Sequence, residues 1–132
     1  MRCLADTHIL LWFLMAPKRI PPRIMAAIEE AEAVYVSGVT FWEISLKFSL
    51  GKLRLEGVTP DELPDYAERA GLRIREASTG LFATFHRLPQ IGHRDPFDRL
   101  LIHCAIQEHL TLLSADSAFA DYRPYGLKLI DD

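Results

Sequence analysis

The heptapeptide His93-Arg94-Asp95-Pro96-Phe97-Asp98-Arg99 places two carboxylates three residues apart at the start of a predicted helix. Asp95 suits the N-cap, and Pro96 suits the first helical position, where its missing N–H costs nothing. Asp98 then lies in the first turn, where the helix dipole favours a negative charge. Capping and dipole stabilisation explain both acids, so any chemical role depends on what else lies near them.

The helix that begins at Pro96 is predicted to extend to about His109 and to lead into the apolar strand Leu110–Leu113. Apolar residues recur along it at helical spacing, which predicts a buried stripe. We expect the remaining side of the helix, with Arg99 and His103, to be more polar.

The rest of the chain repeats this alternation of helices with short strands. The other predicted strands are Arg2–Ala5, Val34–Val36, Leu72–Glu76 and Leu127–Ile130. The predicted helices include one from about Thr40 to Leu50 and one from Ser78 to about His86. No hairpin dipeptide joins two of them, so the pattern predicts right-handed crossovers and a parallel sheet with helices on both faces. We therefore expect an α/β fold with about five mainly parallel strands, and a single domain over residues 1–132.

Composition limits the possible functions. The chain has 132 residues, 49% of them hydrophobic, and a formal net charge of -3. This charge argues against a basic protein that wraps nucleic acid, although an acidic nuclease site is compatible with it. The apolar run 9–16 is too short to cross a bilayer. With Cys3 and Cys104 far apart in apolar contexts, we expect free thiols and a cytoplasmic protein that does not enter a membrane.

Four acids follow or precede predicted strands in a way that brings them to one place. Asp6 ends the first strand, and Asp116 follows the strand at 110–113. Glu43 lies early in the helix after the second strand, and Asp98 opens a helix that runs antiparallel to the strand it feeds. All four positions fall at the carboxyl edge of a parallel sheet, where open α/β folds bind their ligands.

Clustered carboxylates raise one another's pKa values unless a cation lies between them. Hard oxygen ligands suit Mg²⁺ or Mn²⁺. One or two such ions can polarise a phosphodiester and lower the pKa of a bound water. The acids Asp6, Glu43, Asp98 and Asp116 therefore predict a metal site for phosphoryl chemistry. The five histidines, by contrast, show no paired spacing typical of a zinc site.

The order of these motifs resembles that of PIN-domain ribonucleases, and in particular of VapC-type toxins from toxin–antitoxin pairs. The matching segments are Asp6-Thr7-His8, Trp42-Glu43-Ile44 with Lys47, Gly51-Lys52-Leu53, Asp95-Pro96-Phe97-Asp98-Arg99 and Ser114-Ala115-Asp116. The resemblance covers the whole chain. It implies a three-layer α/β/α sandwich, RNA hydrolysis that depends on Mg²⁺ or Mn²⁺, and a neutralising antitoxin protein.

The resemblance also assigns roles by position. Asp6, Glu43, Asp98 and Asp116 match the acidic residues of the family's metal site, and Asp95 matches an additional acid that we interpret mainly as a cap. Ser114 stands where the family usually has Thr and keeps the hydroxyl. His103-Cys104 replaces a commoner Ala-Gln pair. We expect Thr7 and Ser114 to support the metal ligands.

Basic residues next to the acids are candidates for substrate binding. Lys47 and Arg99 each neighbour a proposed metal ligand, so we expect them to contact phosphate. For Glu43 and Lys47, four residues apart, an ordinary surface ion pair is the alternative.

The sequence therefore predicts a metal-dependent endoribonuclease acting as the toxin of a type II toxin–antitoxin pair, with RNA as substrate, an antitoxin as partner and a homodimer as assembly. Two alternatives remain open. One is another Mg²⁺-dependent phosphoryl-transfer domain, which would form a labelled aspartate with a phosphate analogue. The other is a non-catalytic PIN-like module that binds RNA or protein and that metal stabilises without cleavage.

Overall fold

A computed structural model describes all 132 residues of the chain. Its five strands are β1 (Arg2–Ala5), β2 (Ala33–Ser37), β3 (Arg73–Arg75), β4 (Thr111–Leu113) and β5 (Lys128–Ile130). Its six α-helices are α1 (Thr7–Met15), α2 (Pro22–Glu30), α3 (Gly38–Ser49), α4 (Leu63–Arg69), α5 (Thr79–Ala83) and α6 (Pro96–Gln107). Four 3-10 helices complete the fold, at Pro17–Arg19, Pro60–Glu62, Phe85–Arg87 and Ser117–Tyr125.

The strands form one sheet in the order β3-β2-β1-β4-β5, and every neighbouring pair is parallel. The predicted α/β architecture is confirmed, and the sheet is all-parallel rather than mainly parallel. The chain moves from β1 to β2 on one side and later to β4 on the other. The crevice between β1 and β4 is therefore the switch point at which such sheets bind ligands.

The two faces of the sheet carry separate apolar cores because successive side chains of a strand point in opposite directions. In β1, Cys3 and Ala5 pack with α1, α2 and α4, whereas Leu4 packs with α6 and the Ser117–Tyr125 segment. Each core contains 15 buried residues, so helices cover both faces and produce three layers.

Helix α6 is more enclosed than the sequence predicts. The prediction that Arg99 and His103 lie on a more polar side of the helix is wrong, because these residues are only 5% and 1% exposed. The segment around α5 covers this side of α6, and the hydroxyl of Thr84 lies 3.0 Å from His103 Nε2. None of the helices combines the length and the hydrophobicity that a membrane-spanning segment needs.

Candidate metal centre

The carboxyl ends of β1 and β4 lie side by side at this centre. Ala5 pairs with Leu113 in register, and the Asp6 N–H donates to the Leu113 carbonyl at 3.0 Å. Asp6 and the Ser114–Asp116 turn therefore leave the sheet next to each other, as the strand-end pattern predicts.

Asp6 is buried, with 4% of its surface exposed, and serves as the N-cap of α1. Its Oδ1 accepts a hydrogen bond from the Ile9 N–H at 2.9 Å. Burial raises its pKa to about 6; the Ser114 hydroxyl, the Ile9 N–H and His8 oppose this rise, and the charge of Asp98 adds to it. The pKa of Asp6 thus lies close to neutral pH, and a bound cation would stabilise the ionised form of this carboxylate.

Asp98 enters the same region from the N-terminus of α6. Asp95 caps the helix as predicted, because its Oδ1 accepts from the Asp98 N–H at 3.0 Å. The pKa of Asp98 is raised, chiefly by burial and further by the charges of Asp95 and Glu43, while His93 opposes the rise. Asp98 also raises the pKa of Asp6, so it interacts electrostatically with its own helix cap Asp95 and with acids from two other segments, Glu43 and Asp6.

The tightest group of potential ligand atoms comprises His93, Asp98 and Asp116, and all three atoms lie within 4.8 Å of one another. His93 Nε2 is 3.0 Å from Asp98 Oδ2. The Asp116 carboxylate is exposed to solvent and accepts from the Ala118 N–H at 2.9 Å. One side of the group is thus open to solvent, as a substrate site requires.

Glu43 approaches from α3 and is not a surface residue, since only 2% of it is exposed. Thr7 donates to its Oε1 at 2.6 Å, and Lys47 donates to its Oε2. Burial alone would lower the pKa of Lys47, but Glu43, Asp95 and Asp98 together raise it. The Lys47 ammonium therefore stays charged and partly compensates the acids. The alternative of an ordinary surface pair does not describe this buried contact.

Ser114 links two of the acids. It is fully buried, and its hydroxyl accepts from the Asp116 N–H at 3.1 Å. The same side chain hydrogen-bonds Asp6 and lowers that residue's pKa. A hydroxyl at this position therefore orients the turn that carries Asp116 and supports Asp6.

Arg99 does not lie where a phosphate contact requires it. Its guanidinium donates to the carbonyls of Leu88 at 3.1 Å and Pro89 at 3.4 Å, and it stacks 4.9 Å from the ring centroid of Phe85. Because these partners occupy it in the interior, the predicted substrate contact is wrong. Arg99 instead anchors the loop that leads to Asp95.

His93 is the residue of this centre that sequence reasoning missed. It precedes Asp98 by five residues and lies outside the helix, so no helical spacing marks it. The loop from Leu88 to Asp95 folds it back onto Asp98. The only signal in the sequence is its position at the start of the heptapeptide around Asp95 and Asp98.

The donor set fits a hard divalent cation. Carboxylate oxygens dominate it, and burial, with a smaller contribution from neighbouring acidic charges, raises the pKa values of Asp6 and Asp98. Mg²⁺ and Mn²⁺ prefer such oxygen ligands and keep water in their remaining positions. A parallel α/β sheet with this acidic group at its switch point defines the class of domain able to hold such an ion for phosphoryl chemistry.

Comparison with known proteins gives the family. Residues 3–123 match the family model described as PIN domain, and the chain belongs to this family. Ribonuclease VapC22 of Mycobacterium tuberculosis is 26% identical over 120 residues, which cover 91% of each chain.

Solved structures agree on the fold. VapBC2 from Rickettsia felis, bound to a DNA fragment from its promoter, superposes with a TM-score of 0.65 at 16% identity, covering 99% of this chain and 98% of that one. A toxin–antitoxin complex from Klebsiella pneumoniae superposes with a TM-score of 0.61 at 15% identity, covering 97% and 95%.

Proposed function

We propose that this PIN-domain protein is a metal-dependent endoribonuclease and the toxin of a type II toxin–antitoxin pair, with the whole chain, residues 1–132, as one domain. The observation that carries the proposal is the position of Asp98, whose carboxylate lies close to His93 and Asp116 and interacts with Asp6 and Glu43. Its relative VapC22 is named a ribonuclease.

In this proposal Asp6, Glu43, Asp98 and Asp116 hold Mg²⁺ or Mn²⁺, directly or through water. When bound, such an ion polarises the phosphodiester and makes water a better nucleophile. The protein supplies the alignment. Thr7 and Lys47 fix the two oxygens of Glu43, and Ser114 fixes Asp6 and the Asp116 turn.

Lys47 is also our candidate for the phosphate contact, because its side chain is one-third exposed beside the acids and carries a charged ammonium. Its cation would attract the RNA backbone to an otherwise acidic region.

The test is incubation of purified, antitoxin-free protein with diverse RNAs, including structured ones, in the presence of Mg²⁺ or Mn²⁺. We expect cleavage that EDTA abolishes and that falls by a factor of about 100 or more in Asp98→Asn. Asp121→Asn is the matched control, because the Asp121 side chain is exposed and makes no hydrogen bond or ion pair. Failure of the wild type to cleave any RNA, or equal cleavage by Asp98→Asn, would overturn the assignment. A metal-stabilised but inactive protein would favour the non-catalytic module.

The antitoxin partner has a candidate surface on the other side of α1. A groove of about 1170 Å³ runs between α1, residues 53–58 and α4, and 12 of its 17 lining residues are hydrophobic. Arg19 and Arg54 lie on it without ion-pair partners. Because relatives have been solved as toxin–antitoxin complexes, we propose that this groove receives an apolar antitoxin segment flanked by acidic residues.

The predicted homodimer stays a prediction, and light scattering would confirm it by a mass twice the 15.0 kDa of one chain. A cytoplasmic location remains part of the proposal, since the two buried cysteines, Cys3 and Cys104, are free thiols.

A further inference from the structure

His93 lies among the acids of the candidate centre, although it is neither one of the predicted carboxylate ligands nor the helix cap. Its side chain is 15% exposed, and its Nε2 lies 3.0 Å from Asp98 Oδ2. A ring nitrogen of His93 also belongs to the group, with Asp98 and Asp116, whose ligand atoms all lie within 4.8 Å of one another. A histidine nitrogen is therefore directed into the acidic centre rather than towards bulk solvent.

The imidazole is held in this orientation by packing. Its ring meets Phe119 edge-to-face, with 5.3 Å between the centroids. Phe119 is 1% exposed and lies in the 3-10 helix that Asp116 caps. The Asp98 contact is the hydrogen bond that the imidazole makes within the protein. Ring packing and the Asp116 turn thus position the same side chain, so a shift of the turn would move Asp116 and His93 together.

The spacing of His93 Nε2 and Asp98 Oδ2 is compatible with two ligands of one ion. In an octahedron with bonds of about 2.1 Å, neighbouring ligand atoms lie about 3 Å apart and opposite ones about 4 Å apart. The 3.0 Å between His93 Nε2 and Asp98 Oδ2 is a hydrogen bond in the metal-free protein, and the same spacing suits neighbouring ligands once Nε2 carries no proton. The Asp116 oxygen lies within 4.8 Å of the other two atoms on a solvent-exposed side chain.

We propose that His93 is a further metal ligand of this centre, contributing a nitrogen beside the oxygens of Asp98 and Asp116. This inference rests on the proposed metal-dependent function and goes beyond its acidic ligand set. An imidazole donor suits transition metals, whereas Mg²⁺ prefers oxygen and water. The centre consequently selects Mn²⁺ over Mg²⁺ more strongly than carboxylates alone would.

Pulsed electron paramagnetic resonance of the Mn²⁺-loaded full-length protein tests the proposal without any activity measurement. We expect a hyperfine coupling from one directly bound histidine nitrogen, which changes to the 15N pattern when the protein is labelled with 15N-histidine. The variant His93→Gln removes this coupling, while its amide can still donate to Asp98. A residue that only positioned Asp98 would show no direct coupling in the wild type.

His8→Gln is the matched control, because His8 is exposed and also acts on Asp6. The coupling should persist in this variant. We also expect His93→Gln to lower the Mn²⁺ affinity, measured by titration, by about tenfold or more, and to lower the Mg²⁺ affinity less.

Each contrary outcome has a distinct meaning. Mn²⁺ binding without nitrogen coupling in the wild type would overturn the ligand role of His93 and leave the proposed nuclease intact. Coupling lost in His8→Gln but kept in His93→Gln would assign the nitrogen to His8 instead. A wild type that binds no Mn²⁺ would overturn both this inference and the metal-dependent function.

Discussion

Single residues at the candidate centre combine structural and chemical roles, and this is why sequence reasoning found them. Asp6 and Asp116 end up at adjacent strand ends, and each also caps the helical segment that follows. A cap must stand at a strand-to-helix junction, and in a parallel sheet the carboxyl-end junctions converge. The position of a carboxylate could thus be predicted, whereas the direction of a long side chain such as Arg99 could not.

The titration of Asp6 gives a prediction about pH. Because burial raises the pKa of Asp6 from 3.8 to about 6, the folded state binds its proton more tightly than the unfolded state does. Its contribution to stability is therefore fully present below about pH 4 and is lost as the pH rises through about 6. We expect Asp6→Asn to flatten this part of the metal-free stability profile, measured by urea unfolding between pH 4 and 7.5.

Metal binding has the opposite dependence on pH, since it requires the ionised carboxylate. The thermal stabilisation by Mn²⁺ should be larger at pH 7.5 than at pH 5.5. Equal stabilisation at both pH values would contradict the assignment of Asp6 to the metal site.

Lys47 gives a second prediction at this scale. Lys47→Met removes the ammonium that hydrogen-bonds the buried Glu43. We expect a loss of about 1–2 kcal/mol of unfolding free energy, reduced by solvent at the partly exposed amine. Lys47→Arg is the control that keeps the charge.

Because a divalent cation would compensate the same carboxylate, saturating Mn²⁺ should stabilise Lys47→Met more than it stabilises the wild type. If saturating Mn²⁺ raises the unfolding free energy of Lys47→Met and of the wild type by the same amount, Glu43 does not interact with the metal.

The elements of the fold differ in how well their sequences predict them. Helices α3 and α6, each of 12 residues, have clear caps and apolar stripes, so they were predicted to within a few residues. The predicted helix from Ser78 to about His86 is instead the short helix α5, followed by a 3-10 helix at Phe85–Arg87. Tertiary packing against α6 determines such short elements, and local spacing carries little of that information.

The loop between Leu88 and Asp95 depends on α6 for its position. Arg99 donates to the Leu88 and Pro89 carbonyls, and the Tyr122 hydroxyl lies 3.5 Å from the Pro89 carbonyl. We expect Arg99→Ala to cost about 2–3 kcal/mol of unfolding free energy, because it leaves the buried Leu88 carbonyl without its donor and removes the packing of the guanidinium on Phe85. Since this loop carries His93 and Asp95, the substitution should also weaken Mn²⁺ binding by calorimetry, although Arg99 contacts no proposed ligand oxygen.

Arg94→Ala is the matched control in the same heptapeptide. Arg94 is exposed, so its loss should change stability by no more than about 0.5 kcal/mol and leave Mn²⁺ affinity unchanged. If the midpoint of denaturant unfolding is the same for Arg99→Ala and the wild type, Arg99 does not anchor the loop.

At the scale of the whole molecule, alternation of helices and strands predicted the parallel sheet but not the order β3-β2-β1-β4-β5. Short apolar strands of three to five residues carry no information about which neighbour they choose. The order matters because it places β1 and β4 side by side at the switch point. The convergence of the acids could be inferred because the carboxyl ends of parallel strands lie at one edge of the sheet. The individual contacts between the acids and His93 could not be inferred in this way.

The candidate centre joins parts of the molecule that are distant in sequence, namely the ends of β1 and β4 and the helices α3 and α6. A ligand that binds only the folded state stabilises it by RT ln(1 + [L]/Kd), about 2.7 kcal/mol at a hundredfold excess over Kd. For a domain of this size we expect Mn²⁺ at that excess to raise Tm by roughly 10 °C. Differential scanning calorimetry should show the rise, and EDTA should reverse it.

Substitutions separate this effect from nonspecific ion binding. Asp98→Asn should abolish most of the rise in Tm, because Asp98 is the acid that interacts with Asp6, Glu43 and Asp95. Asp121→Asn removes one negative charge from the surface and should keep the full rise. Equal increases in Tm for both variants would mean that Mn²⁺ acts through the overall charge of -3, and the four segments would then not share an ion.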